Sequence, residues 1–209
     1  MLEMNNLTAR IISSVILAII VSVIVIFTLK IYYCFIALIG ILMFYEWWKM
    51  SKNTVYLKYS IILFIPILSL IFSRYYGDYK LILLYVFSIA STDTFAMVGG
   101  KLIGGKKLAP VISPNKTWSG LFCGMLASSL ACWFLGNAID IQLSADFILY
   151  GLINAVVAQY SDLFVSYFKR KCNVKDSGTL IPGHGGVLDR FDGFIFSAPL
   201  LLALILWQK

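Results

Sequence analysis

The residues able to do chemistry are concentrated between Ser166 and Asp192, SYFKRKCNVKDSGTLIPGHGGVLDRFD, the only long polar run of the chain. Those 27 positions hold five of the seventeen Lys and Arg, the single histidine and four glycines. The run ends in Asp189 and Asp192, so a helix starting near Leu188 places both carboxylates on one face, about one turn apart. Such a pair can hold a hard cation. Lys169, Arg170, Lys171 and Lys175 suit phosphate oxygens, and the turn Gly183-His184-Gly185-Gly186 can bring backbone N–H groups close to an anion. Metal ligands beside an anion cradle point to phosphoryl or nucleotidyl transfer. A basic loop after an apolar helix is also what topogenic charge looks like, and an Asp-x-x-Asp pair alone is a weak signal, so the rest of the chain has to decide.

Three further polar features interrupt apolar sequence. Asp93, in Ser88-Ile89-Ala90-Ser91-Thr92-Asp93-Thr94, is an ionisable residue inside a run long enough to span a bilayer, which insertion scales price at about 3 kcal/mol. Gln159, Asp162, Ser166 and Lys169 follow spacings of three, four and three, so they share one helical face, and that face must look into the bundle. Between them lies a connection running from Gly99-Gly100-Lys101 through Gly104-Gly105-Lys106-Lys107 to Ser113-Pro114-Asn115-Lys116-Thr117-Trp118-Ser119-Gly120. It offers N–H donors, lysines and hydroxyls to a polyphosphate, and Ser113 or Thr117 can cap the helix that follows. It is not a P-loop, because GxxxxGK[ST] is absent.

The elements that must position these groups are membrane helices. Of the 209 residues, 60% are hydrophobic and 13% charged, and the mean hydropathy is +0.88. A soluble core could not hide that much apolar surface. Runs near the required length of about 20 residues lie at roughly 11–29, 31–48, 57–73, 79–98, 117–136, 146–168 and 190–207. The expectation is a single all-α polytopic integral membrane domain over 1–209, with about seven spans and six to eight compatible with the runs. Residues 1–80 supply N-terminal helices and 81–209 the catalytic half. Pro66 is expected to kink the third run, and the aromatics around Glu46 suit the membrane interface, with Glu46 itself in a structural role.

Thirteen of the seventeen basic residues fall in the N-terminal segment and the alternate loops that include 99–116 and 169–190. The positive-inside rule puts those segments in the cytoplasm of a multi-pass cell membrane, a bacterial inner or plasma membrane. Asp93, Asp162, Asp189 and Asp192 then share the cytoplasmic half, whereas Asp78, Asp140 and Asp146 fall on the other side as surface charge. The apolar run after Arg10 reads as a retained helix, with no cleavage site after it. Cys34, Cys123, Cys132 and Cys172 lack the spacing of a zinc site, and neither zinc nor a disulfide is expected.

The order of these residues carries a resemblance. Ser166, Lys169-Arg170, Lys175-Asp176, Pro182, His184-Gly185-Gly186 and Asp189-Arg190 with Asp192 resemble, position for position, the signature of the phosphatidate cytidylyltransferases. Asp93-Thr94-x-Ala96 followed by Gly100-Lys101, then Ser113-Pro114-x-Lys116-Thr117-Trp118-x-Gly120, resembles the family's upstream block. The resemblance covers roughly Ile89 to Pro199 and implies that CTP and phosphatidate give CDP-diacylglycerol and pyrophosphate, with Mg²⁺ and room for a second metal ion. It implies catalytic roles for Asp162, Lys169, Arg170, Lys175, Asp176, His184, Asp189, Arg190 and Asp192. Substrate binding would fall to Asp93, Lys101, Ser113, Lys116, Thr117, Gly185 and Gly186, and metal binding to Asp162, Asp189 and Asp192. Three positions depart from the pattern: Ser161 stands where relatives commonly carry Gly, Val165 where they carry Glu, and Ser119 where Glu or Gln is usual. Membrane lipids are expected partners, nucleic acid is not, and a homodimer is left open. The alternatives are a CTP-dependent lipid kinase of the dolichol kinase kind and, from another class, an anionic-solute transporter whose buried aspartates couple to cations. No internal repeat supports the transporter.

Overall fold

The computed structural model describes residue 16 and residues 19–138, 145–178, 180 and 185–208. His184, Pro182, Gly183, Asp140, the side chain of Asp146 and both ends of the chain lie outside the described residues. A helical segment over 19–26, α1, leads into α2 (Leu29–Ser51). A 3₁₀ stretch (Val55–Leu63) runs into α3 (Phe64–Tyr76), followed by α4 (Tyr79–Leu102), a hairpin of β1 (Lys107–Ala109) and β2 (Ser113–Thr117), α5 (Trp118–Ala138) and α6 (Ala145–Lys171). A single turn, α7 (Leu188–Phe191), precedes α8 (Phe194–Trp207).

Five helical stretches among the described residues are long and apolar enough to cross a membrane: Leu29–Ser51, Val55–Tyr76, Tyr79–Leu102, Trp118–Ala138 and Phe147–Lys171. Their outer faces carry Ile41, Leu126, Leu130 and Phe134, each more than 60% exposed, as expected of side chains that meet acyl chains instead of water. The shorter α8 begins only after the break at Asp192-Gly193, so the seventh apolar run is divided into α7 and α8. Pro66 does not kink a continuous helix. It occupies the first turn of α3, where its missing N–H has no partner to lose, and the irregularity precedes it as 3₁₀ geometry.

α4 packs along α5 and α5 along α6, while α8 closes against α3 and α6. Helices in lipid gain little from mutual hydrophobicity, so close approach and polar contacts hold them together. Gly120 and Gly124 on α5 lie against the backbone of α4: a Cβ at 120 would sit 2.5 Å from the Ala96 carbonyl oxygen, and one at 124 would sit 3.0 Å from that of Thr92. Ser128 of α5 and Asn154 of α6 both donate to the Ser88 hydroxyl of α4, at 3.1 and 2.5 Å. At the opposite edge Ser161 accepts the Phe196 N–H at 2.9 Å, satisfying one of the free donors in the first turn of α8. Asp78 is an N-cap as well as a surface charge, accepting the Lys80 N–H at 3.1 Å where α4 begins.

Two features of the 99–117 connection differ from its reading as an open loop. α4 continues to Leu102, so Gly99 and Gly100 are helical. The chain then turns at Gly104 and Gly105, both with positive φ, into an antiparallel hairpin that pairs Lys107 with Thr117 and Ala109 with Ser113. The side chain of Thr117 accepts the Gly120 N–H at 3.1 Å, the expected cap of α5. Ser119 donates to the Gly104 carbonyl, which ties the hairpin to the end of α4.

A Cβ branch at Gly120 must push α4 and α5 apart. Gly120→Val is therefore expected to cost about 1–3 kcal/mol and to lower the melting temperature of the detergent-solubilised protein. An unchanged melting temperature would mean that the helices do not meet there.

Candidate active site

The polar stripe of α6 faces α4, the hairpin and α7. Lys116, on β2, forms an ion pair with Asp162 and donates to the Gln159 side-chain oxygen at 2.7 Å, and Gln159 in turn donates to Asp93 at 3.3 Å. Ser166 donates to the other Asp162 oxygen at 3.3 Å. One helical face, Gln159, Asp162 and Ser166, thus meets a lysine delivered by the hairpin and an aspartate from α4, as the three-four-three spacing anticipated. Gln159 is 5% exposed and is the hinge of this chain of contacts, a role that its place on the polar face did not by itself reveal.

Lys169, one turn beyond Ser166, is 7% exposed and donates to Asp189 Oδ1 at 2.7 Å. The other Asp189 oxygen accepts two backbone N–H groups, from Ser177 at 2.8 Å and Gly186 at 2.9 Å. Burial alone would raise the Asp189 pKa; the Lys169 hydrogen bond and charge, with the two N–H donors, outweigh it and hold the carboxyl below the usual range. Because the folded value lies below the unfolded one, this charge contributes stability at neutral pH that fades as pH falls through the folded value. Both Asp189 oxygens and the Gly186 N–H are therefore engaged within the protein.

Asp192, just beyond α7, accepts the Gly193 N–H at 2.8 Å and faces Asp162 at hydrogen-bonding range. Two carboxyl groups at that range need a shared proton or cation between them. Lys169, Asp93 and Arg190 lie within electrostatic reach of this pair or of one another. No three His, Cys, Asp or Glu side chains among the described residues converge closely enough to chelate one ion by themselves. Asp162 with Asp192 is nonetheless the carboxylate pair whose chemistry fits a hard cation, with remaining positions left to water and phosphate oxygens.

The remaining candidates are arranged around this cluster. Arg170 donates to two backbone carbonyls, of Ile112 and Val174, each at 3.3 Å, and so ties the hairpin tip and the following loop to the end of α6. Lys101, Lys175 and Asp176 are exposed, and Ser113 lies at the start of β2. Gly185 has φ +84° beside Asp189. Val165 is fully buried in the core, so that position supplies packing. Trp47 is buried as well, its ring tilted against Phe168 with centroids 5.2 Å apart, and is not an interfacial aromatic.

Membrane-length helices that gather aspartates, lysines and a glycine-bearing loop at one end define a polytopic membrane protein with a cluster of charged side chains at that end. Residues 53–207 match the model of the cytidylyltransferase family, and this chain belongs to that family. It is 44% identical to a phosphatidate cytidylyltransferase of Rickettsia bellii over 95% of this chain and 90% of the relative. It is 41% identical to the enzyme of the same name from Rickettsia typhi, over 97% and 93%. One from Staphylococcus epidermidis is 46% identical across 116 residues, 55% of this chain and 45% of that protein.

Removing one member of a buried ion pair strands the other, so Lys169→Met is expected to destabilise the protein by about 3–5 kcal/mol. Lys175→Met, at an exposed position, should stay within about 0.5 kcal/mol of the parent. Denaturant melts of the two variants in detergent give the comparison, and equal stability would remove Lys169 from the buried pair.

Proposed function

We propose that this chain is a phosphatidate cytidylyltransferase, transferring the cytidylyl group of CTP to phosphatidate to give CDP-diacylglycerol and pyrophosphate. The observation that carries the reading is the meeting of Lys116, Asp162, Lys169 and Asp192 in one cluster at the end of the bundle, drawn from both sequence blocks that resemble the family. Family membership and the names of the relatives support the same reaction.

The chemistry asks little of a general base. A phosphate monoester has its second pKa near 6, so phosphatidate is already a nucleophile at neutral pH. One of its oxygens attacks the α-phosphorus of CTP, a new P–O bond forms, and the bond to the bridging oxygen breaks with its electron pair leaving on pyrophosphate. The barrier is electrostatic, since a dianion must approach a polyanion. Lys116 and Lys169 are the cations nearest the carboxylates and would draw phosphate oxygens to the cluster; Gln159 orients Lys116, and Asp189 orients Lys169. Asp162 and Asp192, with Asp93 beside them, would hold Mg²⁺, which when bound would offset the phosphate charge. Arg190, within reach of Asp93, adds a further cation. His184 would serve the leaving group or anchor its turn.

The distribution of basic residues supports a cytoplasmic orientation for this end, in a cell membrane where CTP arrives from the cytosol and phosphatidate from the bilayer. Apolar outer faces and a charged inner cluster suit a substrate with two acyl chains and a polar head.

The test uses the detergent-solubilised protein with CTP, Mg²⁺ and phosphatidate, scored for pyrophosphate and a CDP-lipid. Both should appear, and excess EDTA should abolish them. Release of CDP with a phosphorylated lipid would identify a lipid kinase and overturn the proposal. Asp162→Asn keeps the size but removes the charge, so turnover should fall by on the order of a hundredfold. Wild-type turnover in that variant would exclude Asp162 from the site.

A further inference from the structure

Among the described residues Glu46 is the only acidic side chain that is almost fully buried, at 1% exposure, and it lies ahead of the 53–207 segment that matches the family. It sits near the C-terminal end of α2, where Trp47 is wedged against Phe168 and donates to the Tyr56 carbonyl at 3.3 Å, so its backbone is held against the end of α6. A carboxylate in that setting is costly unless donors surround it. Glu46 has three, from the loop that follows α6 and the first residue of α7: the Ser177 hydroxyl at 2.9 Å, the Val187 N–H at 2.9 Å and the Leu188 N–H at 2.8 Å.

The same loop segments serve Asp189. Ser177 gives its N–H to Asp189 and its hydroxyl to Glu46; Gly186 gives its N–H to Asp189, and the next two residues give theirs to Glu46. The loop is therefore stapled between a carboxylate of α2 and a carboxylate of α7. Two of its glycines follow from this. A Cβ at Gly178 would sit 2.7 Å from Glu46 Oε1, and one at Gly186 would overlap Glu46 Oε2 and the Ser177 hydroxyl.

We propose that Glu46 is a positioning residue for the reaction: by binding Ser177 and the 187–188 backbone it sets where Asp189 stands, and with it Lys169, without touching substrate. This rests on the cytidylyltransferase reading above for its kinetic consequence. A purely structural acid would alter melting and leave turnover of the folded enzyme alone.

The test compares Glu46→Gln, Glu46→Ala, Gly178→Ala and the Glu46→Ala/Gly178→Ala double variant in the full chain in detergent. In Glu46→Gln an amide N–H₂ replaces an acceptor and must confront one of the three donors. The expected result is a fall in kcat on the order of tenfold to a hundredfold, with a much smaller change in KM for CTP. Hydrogen–deuterium exchange at the Val187 and Leu188 amides should rise with it. Gly178→Ala alone should do the same by pushing on Glu46, whereas adding it to Glu46→Ala should cause no further loss, because the side chain it meets is gone. Wild-type kcat and wild-type amide protection in folded Glu46→Gln would overturn the proposal; if that variant does not fold, additive losses for Gly178→Ala and Glu46→Ala would do so. Should the parent enzyme yield no CDP-lipid, the functional reading fails, while the exchange measurement still decides the role of Glu46.

Discussion

A carboxylate placed among apolar helices must be given a partner, because neither lipid nor packed hydrocarbon solvates its charge. At the charged end of this bundle the partners come from remote parts of the chain. Asp162 takes Lys116 from a hairpin, Asp189 takes Lys169 and two loop amides, and Glu46 takes three donors from a loop more than 130 residues away. Folding this end is therefore inseparable from bringing α2, α4, the hairpin, α6 and α7 together. The requirement that makes the acids tolerable also builds the site.

The pairings explain why a small amount of irregular backbone is retained at the end of a helical protein. A helix could not deliver Lys116 beside Asp162 while also capping α5 with Thr117; a short antiparallel hairpin turned by Gly104 and Gly105 does both within a few residues. Ser119, a departure from the family pattern, fastens that hairpin to α4. Arg170 acts similarly by gripping the carbonyls of Ile112 and Val174, a use of a signature cation that pays off in loop geometry as much as in charge. Asp162 and Asp192 are different in kind, since two facing carboxyl groups need a proton or a cation shared between them.

Much was legible in the sequence by itself. Length and hydropathy of the runs gave membrane helices, because a bilayer sets the number of apolar residues a span needs. The three-four-three spacing of Gln159, Asp162, Ser166 and Lys169 placed one polar face on one helix, and the order of the signature residues pointed to the family. These are local or periodic properties, and 3.6 residues per turn suffices to read them.

Only the tertiary structure decided which partner each charge would find. Sequence periodicity says which side of a helix Asp189 occupies and nothing of the distance to Lys169, and it gave Glu46 a structural role without showing which groups it holds, the Ser177 hydroxyl and the amides of Val187 and Leu188. It expected Trp47 at the membrane surface, where packing against Phe168 has buried it. It counted Asp189 with Asp162 and Asp192, whereas the fold turns Asp189 toward Lys169 and backbone amides and leaves Asp162 facing Asp192. The physical reason is that hydrogen bonds and ion pairs act over a few ångströms. Their partners are therefore chosen by how helices pack, a non-local outcome that no stretch of sequence encodes alone.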